Sequence, residues 1–168
     1  MKVIGFTGYK QSGKDTVARE LARILLPRST VQVNFADALK DEVCLACKIT
    51  RQYLDEHKDN FRLIMQGYGT DFRRKLHGEQ YWILKWLERV NKLAPVPAYL
   101  LVTDVRFINE AAVVRRLGGT LIRVERPGVF SDGHASETEQ REIHADFTVH
   151  NDGTVEDLKA KLKNLKLQ

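Results

Sequence analysis

The sequence lacks several features that would assign it to a membrane-spanning, secreted or repeat-protein class. No apolar run approaches the ~20 residues that a helix needs to cross a bilayer. The N-terminus has one Lys and then a strand pattern, where a signal peptide would have a long apolar segment. Internal repeats and low-complexity segments are also missing. We therefore expect a cytoplasmic protein that does not associate with membranes.

Cysteine is scarce, and its spacing argues against redox or metal chemistry. The two cysteines form a single Cys44-x-x-Cys47 pair within a predicted helix. A redox or metal site would need partners, and there is no second Cys pair. The pattern predicts two buried small residues on one helix face.

The charge is basic, but no segment is strongly of one sign. The formal net charge is +5 and the sequence pI is about 9.2. Basic residues are scattered among acidic ones, which favours several cations converging on phosphates in a cleft over a face that binds duplex nucleic acid. With 168 residues, 43% of them hydrophobic, the chain can form one domain with a sizeable core.

The most informative stretch is the glycine-framed segment from Gly8 to Thr16. It follows an apolar strand pattern (3–7) and precedes a helix with apolar positions at helical spacing. This is the layout of a phosphate-binding P-loop, in which Gly8 and Gly13 let backbone N–H groups approach an anion and Lys14 reaches the outer phosphates. The alternative is a Gly-rich turn that caps an ordinary helix, which we consider the weaker interpretation.

One position departs from the usual P-loop pattern. Asp15 stands where a Ser or Thr would bind Mg²⁺, and Thr16 comes one residue later. Because a carboxylate binds Mg²⁺ directly or through water, a metal site is still expected here.

Further candidates follow the next strand patterns. Phe35 ends a strand pattern at 31–35, and Ala36 and Lys40 follow it. Asp104 and Arg106 follow an apolar strand pattern at 99–103. Ligands of open α/β sheets bind outside the carboxyl ends of strands, so these residues are expected to line a cleft. Asp104 is predicted to orient Mg²⁺. The alternatives are a solvated Lys40 and a surface acid at Asp104.

Two segments carry no strand pattern. Residues 50–91 read as helical, with a polar connection at 66–74. Core packing is favoured for Trp86, whereas Trp82 lies beside the connection, where it could stack on a base. A long loop starting at Arg126 has the composition of a lid, from which Arg126 would reach a transferring phosphoryl group. His134 is predicted to be a hydrogen-bonding lid residue; the alternative is a general base, which phosphoryl transfer does not require.

The order of elements predicts a three-layer α/β/α sandwich with a mainly parallel five-stranded sheet. We expect one P-loop domain over 1–168, with a core at 1–35 and 97–168, a helical insertion at about 36–96 and a lid at about 126–141. Thr154 and Asp157 resemble a capping box at the start of the last helix.

Taken together, the motifs resemble those of the bacteriophage deoxynucleoside monophosphate kinases, a P-loop family related to the nucleoside monophosphate kinases. The resemblance extends from the N-terminus to the turn at 151–153. Its most specific part is Asp104-Val105-Arg106-Phe107, and the Gly-Lys-Asp-Thr ending of the P-loop is usual in that family. The remaining matching segments are Phe35-Ala36-Asp37-x-Leu39-Lys40, Gln66-x-x-Gly69-Thr70, Tyr81-Trp82, Asn109-Glu110 and Arg126-Pro127-Gly128.

The resemblance implies transfer of the ATP γ-phosphoryl group to a deoxynucleoside 5′-monophosphate (dNMP), with Mg²⁺ as the metal. The implied ATP-binding residues are Gly8, Lys10, Ser12, Gly13, Lys14, Asp15, Thr16, Asn151 and Gly153. The implied metal residues are Asp15, Thr16 and Asp104. The implied acceptor-site residues are Phe35, Ala36, Lys40, Gln66, Gly69, Arg73, Trp82, Arg106, Asn109 and Glu110. The implied catalytic residues are Lys14, Asp104, Arg106 and Arg126, while Arg62, Arg74 and Arg123 compete for phosphate contacts.

Three other points complete the interpretation. Other small-molecule P-loop kinases, of the phosphomevalonate or dephospho-coenzyme A type, are the nearest alternative, although aromatic Phe35 and Trp82 favour a base. A non-catalytic nucleotide-binding or DNA-binding module is the alternative from another class. Since kinases of this family are often dimers, a homodimer through the helical insertion is expected, in the host cytoplasm if the protein is phage-encoded.

Overall fold

The computed structural model of the chain describes residues 1–130 and 139–167. Contacts divide the chain into two compact units. The first, here called the core unit, comprises 1–32 and 93–168, and the second, the helical unit, comprises 33–92. The predicted insertion (36–96) begins three residues after the helical unit begins and ends four residues after it ends.

The core unit is built on a sheet of five parallel strands. Their order in space is β2-β3-β1-β4-β5, which places the first strand at the centre. The strand bounds are β1 Lys2–Thr7, β2 Thr30–Gln32, β3 Tyr99–Val102, β4 Thr120–Glu125 and β5 Phe147–His150. Because β1 lies between β3 and β4 and all three strands are parallel, the residues that follow them lie together at the carboxyl end of the sheet.

Helices cover both faces of this sheet, as expected for buried parallel strands. On one face, Ile4 and Phe6 of β1 pack in a cluster with residues of α1 (Lys14–Ile24) and α8 (Val155–Lys163). On the other face, Gly5 lies against Leu121 and Val114, the latter from α7 (Ile108–Arg116). The predicted three-layer α/β fold with a parallel sheet is therefore confirmed.

The helical unit contains short helices around two tryptophans. Their bounds are α2 Ala36–Cys47, α3 Arg51–Glu56, α4 Arg62–Gln66, a π-helix Gly67–Arg74, α5 Lys75–His77 and α6 Tyr81–Asn91. Trp86 is fully buried, donates from Nε1 to the Val33 carbonyl at 2.9 Å, and has its ring 4.8 Å from that of Phe35. The predicted core role of Trp86 is confirmed.

Three local expectations change in the structure. The second strand ends at Gln32, because Asn34 accepts a backbone bond from Asp37 and its own N–H donates to the Asp37 carboxylate, which turns the chain. The polar connection at 66–74 is a π-helix. The prediction of two buried cysteines is wrong, since Cys44 is half-buried and Cys47 is exposed. The buried positions of α2 are Ala38 and Val43.

The predicted capping box is confirmed: the Thr154 hydroxyl accepts from Asp157 N, while the Asp157 carboxylate accepts from Thr154 N. No helix in the described part of the chain is both long and apolar enough to cross a membrane.

Candidate phosphate-binding site

The loop between β1 and α1 has the backbone geometry that a phosphate-binding loop requires. Gly8 and Gly13 have φ angles of +136° and +95°, a region that residues with a Cβ rarely adopt. A Cβ on Gly8 would lie 2.3 Å from the Val124 carbonyl oxygen. A Cβ on Gly13 would lie 2.2 Å from Nδ2 of Asn151. Both glycines are thus required by conformation and by space.

Lys14 begins α1 and its ammonium group lies across the loop. Its Nζ donates to the carbonyl oxygens of Gly8 at 2.6 Å and Tyr9 at 2.7 Å. The buried Ser12 hydroxyl has no hydrogen-bond partner among the residues described. The Lys14 ammonium group, the Ser12 hydroxyl and the N-terminus of α1 therefore lie within one short loop. This combination suits a bound anion.

Asp15 is held by the strand next to β1. Thr103, which follows β3, donates its hydroxyl to Asp15 Oδ1 at 2.7 Å, and Gln32 Nε2 donates to the Thr103 hydroxyl at 3.1 Å. Asp15 itself is exposed, and within residues 1–130 and 139–167 its Oδ2 has no protein donor. Thr103 was not among the site residues predicted from the sequence, although it directly precedes Asp104.

The donors here fit Mg²⁺ in type. Asp15, Thr16 and Asp104 offer only oxygen, which is the ligand that Mg²⁺ prefers, and Mg²⁺ is usually held by one or two carboxylates together with substrate phosphates. The described residues contain no group of three or more His, Cys, Asp or Glu side chains that could hold a metal ion by themselves.

Past Asp104 the chain turns into α7. The buried Glu110 accepts from the backbone N–H groups of Arg106 at 2.9 Å and Phe107 at 3.1 Å, so it fixes the turn that carries Arg106. Asn109 is half-buried in the first turn of α7. The acceptor-site roles predicted for Arg106, Asn109 and Glu110 remain predictions, and for Glu110 the structure adds this role in shaping the turn.

A cavity of about 480 Å³ opens beside the loop within the core unit. It is lined by the P-loop residues Gly8, Tyr9 and Ser12, by the end of β4, and by the segments that flank 131–138. Three arginines line it: Arg123, Arg126 and Arg141. Of the predicted lid (126–141), residues 131–138, including His134, lie outside the described part of the chain.

The three cavity arginines differ in what they contact. Arg123 Nη2 donates to the carbonyl oxygens of Gln140 at 3.1 Å, Arg141 at 3.4 Å and Ile143 at 2.6 Å. Arg123 therefore fixes the backbone of residues 140–143. Arg141 donates from Nε to the Tyr9 hydroxyl, and its guanidinium lies 5.5 Å from the Tyr9 ring centroid. Arg126 is exposed. The contact between Tyr9 of the P-loop and Arg141 of the predicted lid was not predicted, because 132 positions separate the two residues along the chain.

The turn after β5 contacts the backbone of the P-loop through Asn151. Asn151 Nδ2 donates to the Ser12 carbonyl at 3.0 Å, and Asn151 N donates to the Glu125 carbonyl at 2.7 Å. Gly153 is exposed, and a Cβ there would lie 2.7 Å from Asp157 Oδ2. The predicted ATP-binding roles of Asn151 and Gly153 remain predictions.

In the helical unit, Arg73 lies in a compact polar cluster. Its Nη2 and Nε are each 2.8 Å from Glu42 Oε2, and its guanidinium lies 5.1 and 5.5 Å from the rings of Tyr68 and Tyr81. Both tyrosine hydroxyls donate to Glu42, at 2.9 Å from Tyr68 and 2.7 Å from Tyr81. Glu42, Tyr68 and Tyr81 together hold the guanidinium in one place. The pairing of Glu42 with Arg73 was not predicted from the sequence.

The cluster shifts the acidity of its members. Burial alone would raise the pKa of Glu42, but hydrogen bonds from Tyr81 and Tyr68 and the charge of Arg73 outweigh it, so the pKa is lowered. Burial and the hydrogen bond to Glu42 raise the pKa of Tyr81 to about 12. Glu42 is therefore ionised and Tyr81 neutral around neutral pH.

The other predicted acceptor-site residues of the helical unit differ in exposure. Phe35 is buried, and Trp82 is buried with its Nε1 donating to the Gly69 carbonyl at 2.9 Å. Lys40 donates to Asp55 at 2.6 Å, and Ala36 and Gln66 are half-buried. Among the competing arginines, Arg74 is buried and donates to Glu79 at 3.2 Å, whereas Arg62 is half-buried at the start of α4.

Comparison with known proteins assigns the chain to a family. Residues 42–162 match the family model for deoxynucleotide monophosphate kinase. A protein of Acanthamoeba polyphaga mimivirus that is named for the same family is 32% identical, over 96% of this chain and 94% of its own length. The deoxynucleotide monophosphate kinase of Enterobacteria phage T4 is 34% identical over 65% of this chain, which corresponds to 46% of the phage protein.

Solved structures agree on the fold. Shikimate kinase from Aquifex aeolicus matches with a TM-score of 0.50 at 17% identity, over 96% of this chain and 93% of its own. Shikimate kinase from Acinetobacter baumannii matches with a TM-score of 0.51 at 16% identity, over 100% of this chain and 96% of its own. At this identity the likeness supports the α/β fold alone. The family match over residues 42–162 and the mimivirus relative, aligned over 96% of this chain, show that the chain belongs to the deoxynucleotide monophosphate kinase family.

Proposed function

We propose that this protein transfers the γ-phosphoryl group of ATP to a deoxynucleoside 5′-monophosphate, giving ADP and a deoxynucleoside diphosphate. The observation that carries the proposal is the loop of Gly8 to Lys14, with two left-handed glycines and an ammonium group at a helix N-terminus, in a chain of this family. The family membership favours a dNMP acceptor over phosphomevalonate or dephospho-coenzyme A, and a kinase over a DNA-binding module.

The ATP phosphates would lie on the P-loop. The backbone N–H groups from Gly8 to Thr16 and the N-terminus of α1 would bind their oxygens, with Lys10, Ser12 and Lys14 supplying side-chain donors. Lys14 would exchange the carbonyl oxygens of Gly8 and Tyr9 for phosphate oxygens. Mg²⁺, held by Asp15, Thr16 and Asp104 directly or through water, would neutralise charge on the β- and γ-phosphates. Asn151 and Gly153 would lie near the adenine.

Phosphoryl transfer between two phosphates requires positioning and charge neutralisation more than proton transfer. The attacking oxygen of the acceptor phosphate is already anionic, so no general base is assigned. Arg106 and Arg126 would neutralise charge that develops during transfer. The acceptor would be bound by the predicted residues Phe35, Ala36, Lys40, Gln66, Gly69, Arg73, Trp82, Asn109 and Glu110.

We also propose that the protein acts on free nucleotides in the cytoplasm, that of the host if it is phage-encoded, as a homodimer formed through the helical unit. The scattered charge supports a small-molecule partner and no stable complex with nucleic acid. Exposed apolar side chains in the helical unit, including Leu45 and Leu63, support a protein contact there.

The test is a coupled assay of ADP release with ATP and Mg²⁺ against a panel of dNMPs, NMPs, phosphomevalonate and dephospho-coenzyme A. We expect turnover with one or more dNMPs, and none when Mg²⁺ is chelated. Lys85→Ala serves as a matched lysine control for Lys14→Ala, because Lys85 lies on α6 in the helical unit and pairs only with the nearby Glu88 and the Tyr81 ring among the residues described. Binding of ATP without turnover of any acceptor would overturn the proposal in favour of a binding module.

A further inference from the structure

The core-unit cavity contains a cation that the proposed mechanism has not used. Arg141 lines the cavity together with Gly8 and Ser12 of the P-loop, and it is exposed. Its bond to Tyr9 uses Nε, and neither Nη1 nor Nη2 has an acceptor among residues 1–130 and 139–167. A guanidinium whose Nη groups are available beside a phosphate-binding loop is well suited to a phosphate, because its planar donors match phosphate oxygens in pairs.

Two contacts set the position of this guanidinium. The Tyr9 hydroxyl accepts from Nε, and the Tyr9 ring lies 5.5 Å from the guanidinium carbon, within cation–π range. Tyr9 directly follows Gly8, and its carbonyl oxygen accepts from Lys14. Tyr9 therefore links Arg141 to the same short loop that carries Lys14.

Arg123 fixes the backbone from which Arg141 projects. Its Nη2 lies within hydrogen-bond distance of three carbonyl oxygens between residues 140 and 143, including that of Arg141 itself. Nearby, Arg115 donates to the His144 carbonyl at 2.6 Å and to Asp146 at 3.1 Å. This backbone is thus held to β4 and α7, so that a change at Arg141 alters the side chain on a fixed support.

We propose that Tyr9 is a positioning residue that directs Arg141 onto the phosphates of the nucleoside triphosphate, so that Arg141 acts with Lys14 and Arg126. The inference rests on the proposed function in taking ATP as the ligand. Tyr9 contributes through the orientation of Arg141, whereas Arg141 contributes charge.

The test is a double-mutant cycle read by calorimetric ATP binding. We expect Arg141→Ala to weaken ATP binding about tenfold or more, and Tyr9→Phe about threefold to tenfold, which lies within the range for the net contribution of one ordinary hydrogen bond. In the Arg141→Ala background, Tyr9→Phe should have no further effect, because its hydroxyl acts through Arg141. Arg141→Lys should recover part of the affinity.

Matched controls separate this effect from general damage. Arg116→Ala removes an exposed arginine at the end of α7, and Tyr53→Phe removes a tyrosine hydroxyl in the helical unit. Both should bind ATP like the wild type, and thermal unfolding should show that all variants are folded. Inorganic tripolyphosphate, which lacks the nucleoside, should lose affinity in Arg141→Ala by a similar factor.

The outcomes are distinct. Equal effects of Tyr9→Phe with and without Arg141 would overturn the positioning role, and wild-type affinity in Arg141→Ala would overturn the phosphate contact. Wild-type protein that binds ATP but phosphorylates no dNMP would refute the proposed function, while the binding cycle would still decide on Arg141.

Discussion

Replacing Gly13 by Ala tests the central geometric argument, that the P-loop has no space for a side chain. Gly13 has a φ of +95°, and a Cβ there would lie 2.2 Å from Nδ2 of Asn151, which donates to the Ser12 carbonyl. The left-handed conformation costs a non-glycine residue roughly 1–2 kcal/mol. Displacing the Asn151 amide adds about 1 kcal/mol for its hydrogen bond. We expect the free energy of unfolding to fall by about 2–3 kcal/mol.

The assay is thermal unfolding, together with ATP binding. For a domain of this size each kcal/mol lowers the Tm by about 2–4 °C, so the expected fall is roughly 4–12 °C. Adding Asn151→Ala removes the clash but not the backbone strain. The double variant should therefore be more stable than the sum of the two single effects predicts.

Gly67→Ala is the matched control. Gly67 has a helical φ of −62°, and an added Cβ would meet nothing within 4 Å. This substitution should be neutral, or stabilise by about 0.5–1 kcal/mol through helix propensity. A Gly13→Ala protein as stable as the wild type, or strictly additive effects of Gly13→Ala and Asn151→Ala, would refute the reasoning.

Three further predictions concern charge and exposure. Lys14→Ala and Arg126→Ala should each lower kcat by on the order of 10³-fold or more with a dNMP acceptor, and near-normal turnover in either would remove the role assigned to that residue. The pKa of Tyr81 is raised to about 12 in the folded state, so the contribution of its neutral hydroxyl to stability is complete below the ordinary tyrosine pKa and is lost as the pH rises through the folded-state pKa. Tyr81→Phe should therefore lose less stability than the wild type above pH ~10, as measured by urea unfolding. The same pH dependence in both proteins would contradict the raised pKa. Cys47 is exposed whereas Cys44 is half-buried, so a thiol reagent should modify the native Cys44→Ala protein faster than the Cys47→Ala protein, and equal rates would contradict the difference in exposure.

Much of the fold could be predicted because its signals are local. The strands at Lys2–Thr7 and Tyr99–Val102 lie within one residue of the predicted 3–7 and 99–103, and the capping box at Thr154 is where the pattern indicates. A second strand was predicted at 31–35, but its early end at Gln32 was not, because it depends on the side-chain hydrogen bond of Asp37. The π-helix at Gly67–Arg74 was not predicted either, because no simple periodicity marks it. The prediction that both cysteines are buried was wrong, because the i, i+3 spacing places them on one helix face without indicating which face is packed.

The sequence by itself determined that a phosphate-binding loop joins a strand to a helix, because glycine spacing and the following Lys14 lie within seven consecutive residues. The identity of the fold class followed from the same kind of short-range pattern. Only the tertiary structure decided which distant side chains serve that loop. Thr103 reaches Asp15, Asn151 supports Ser12, and Arg141 reaches Tyr9. These pairs are separated by 88 to 139 positions, and parallel strand order brings them together, which no local periodicity encodes.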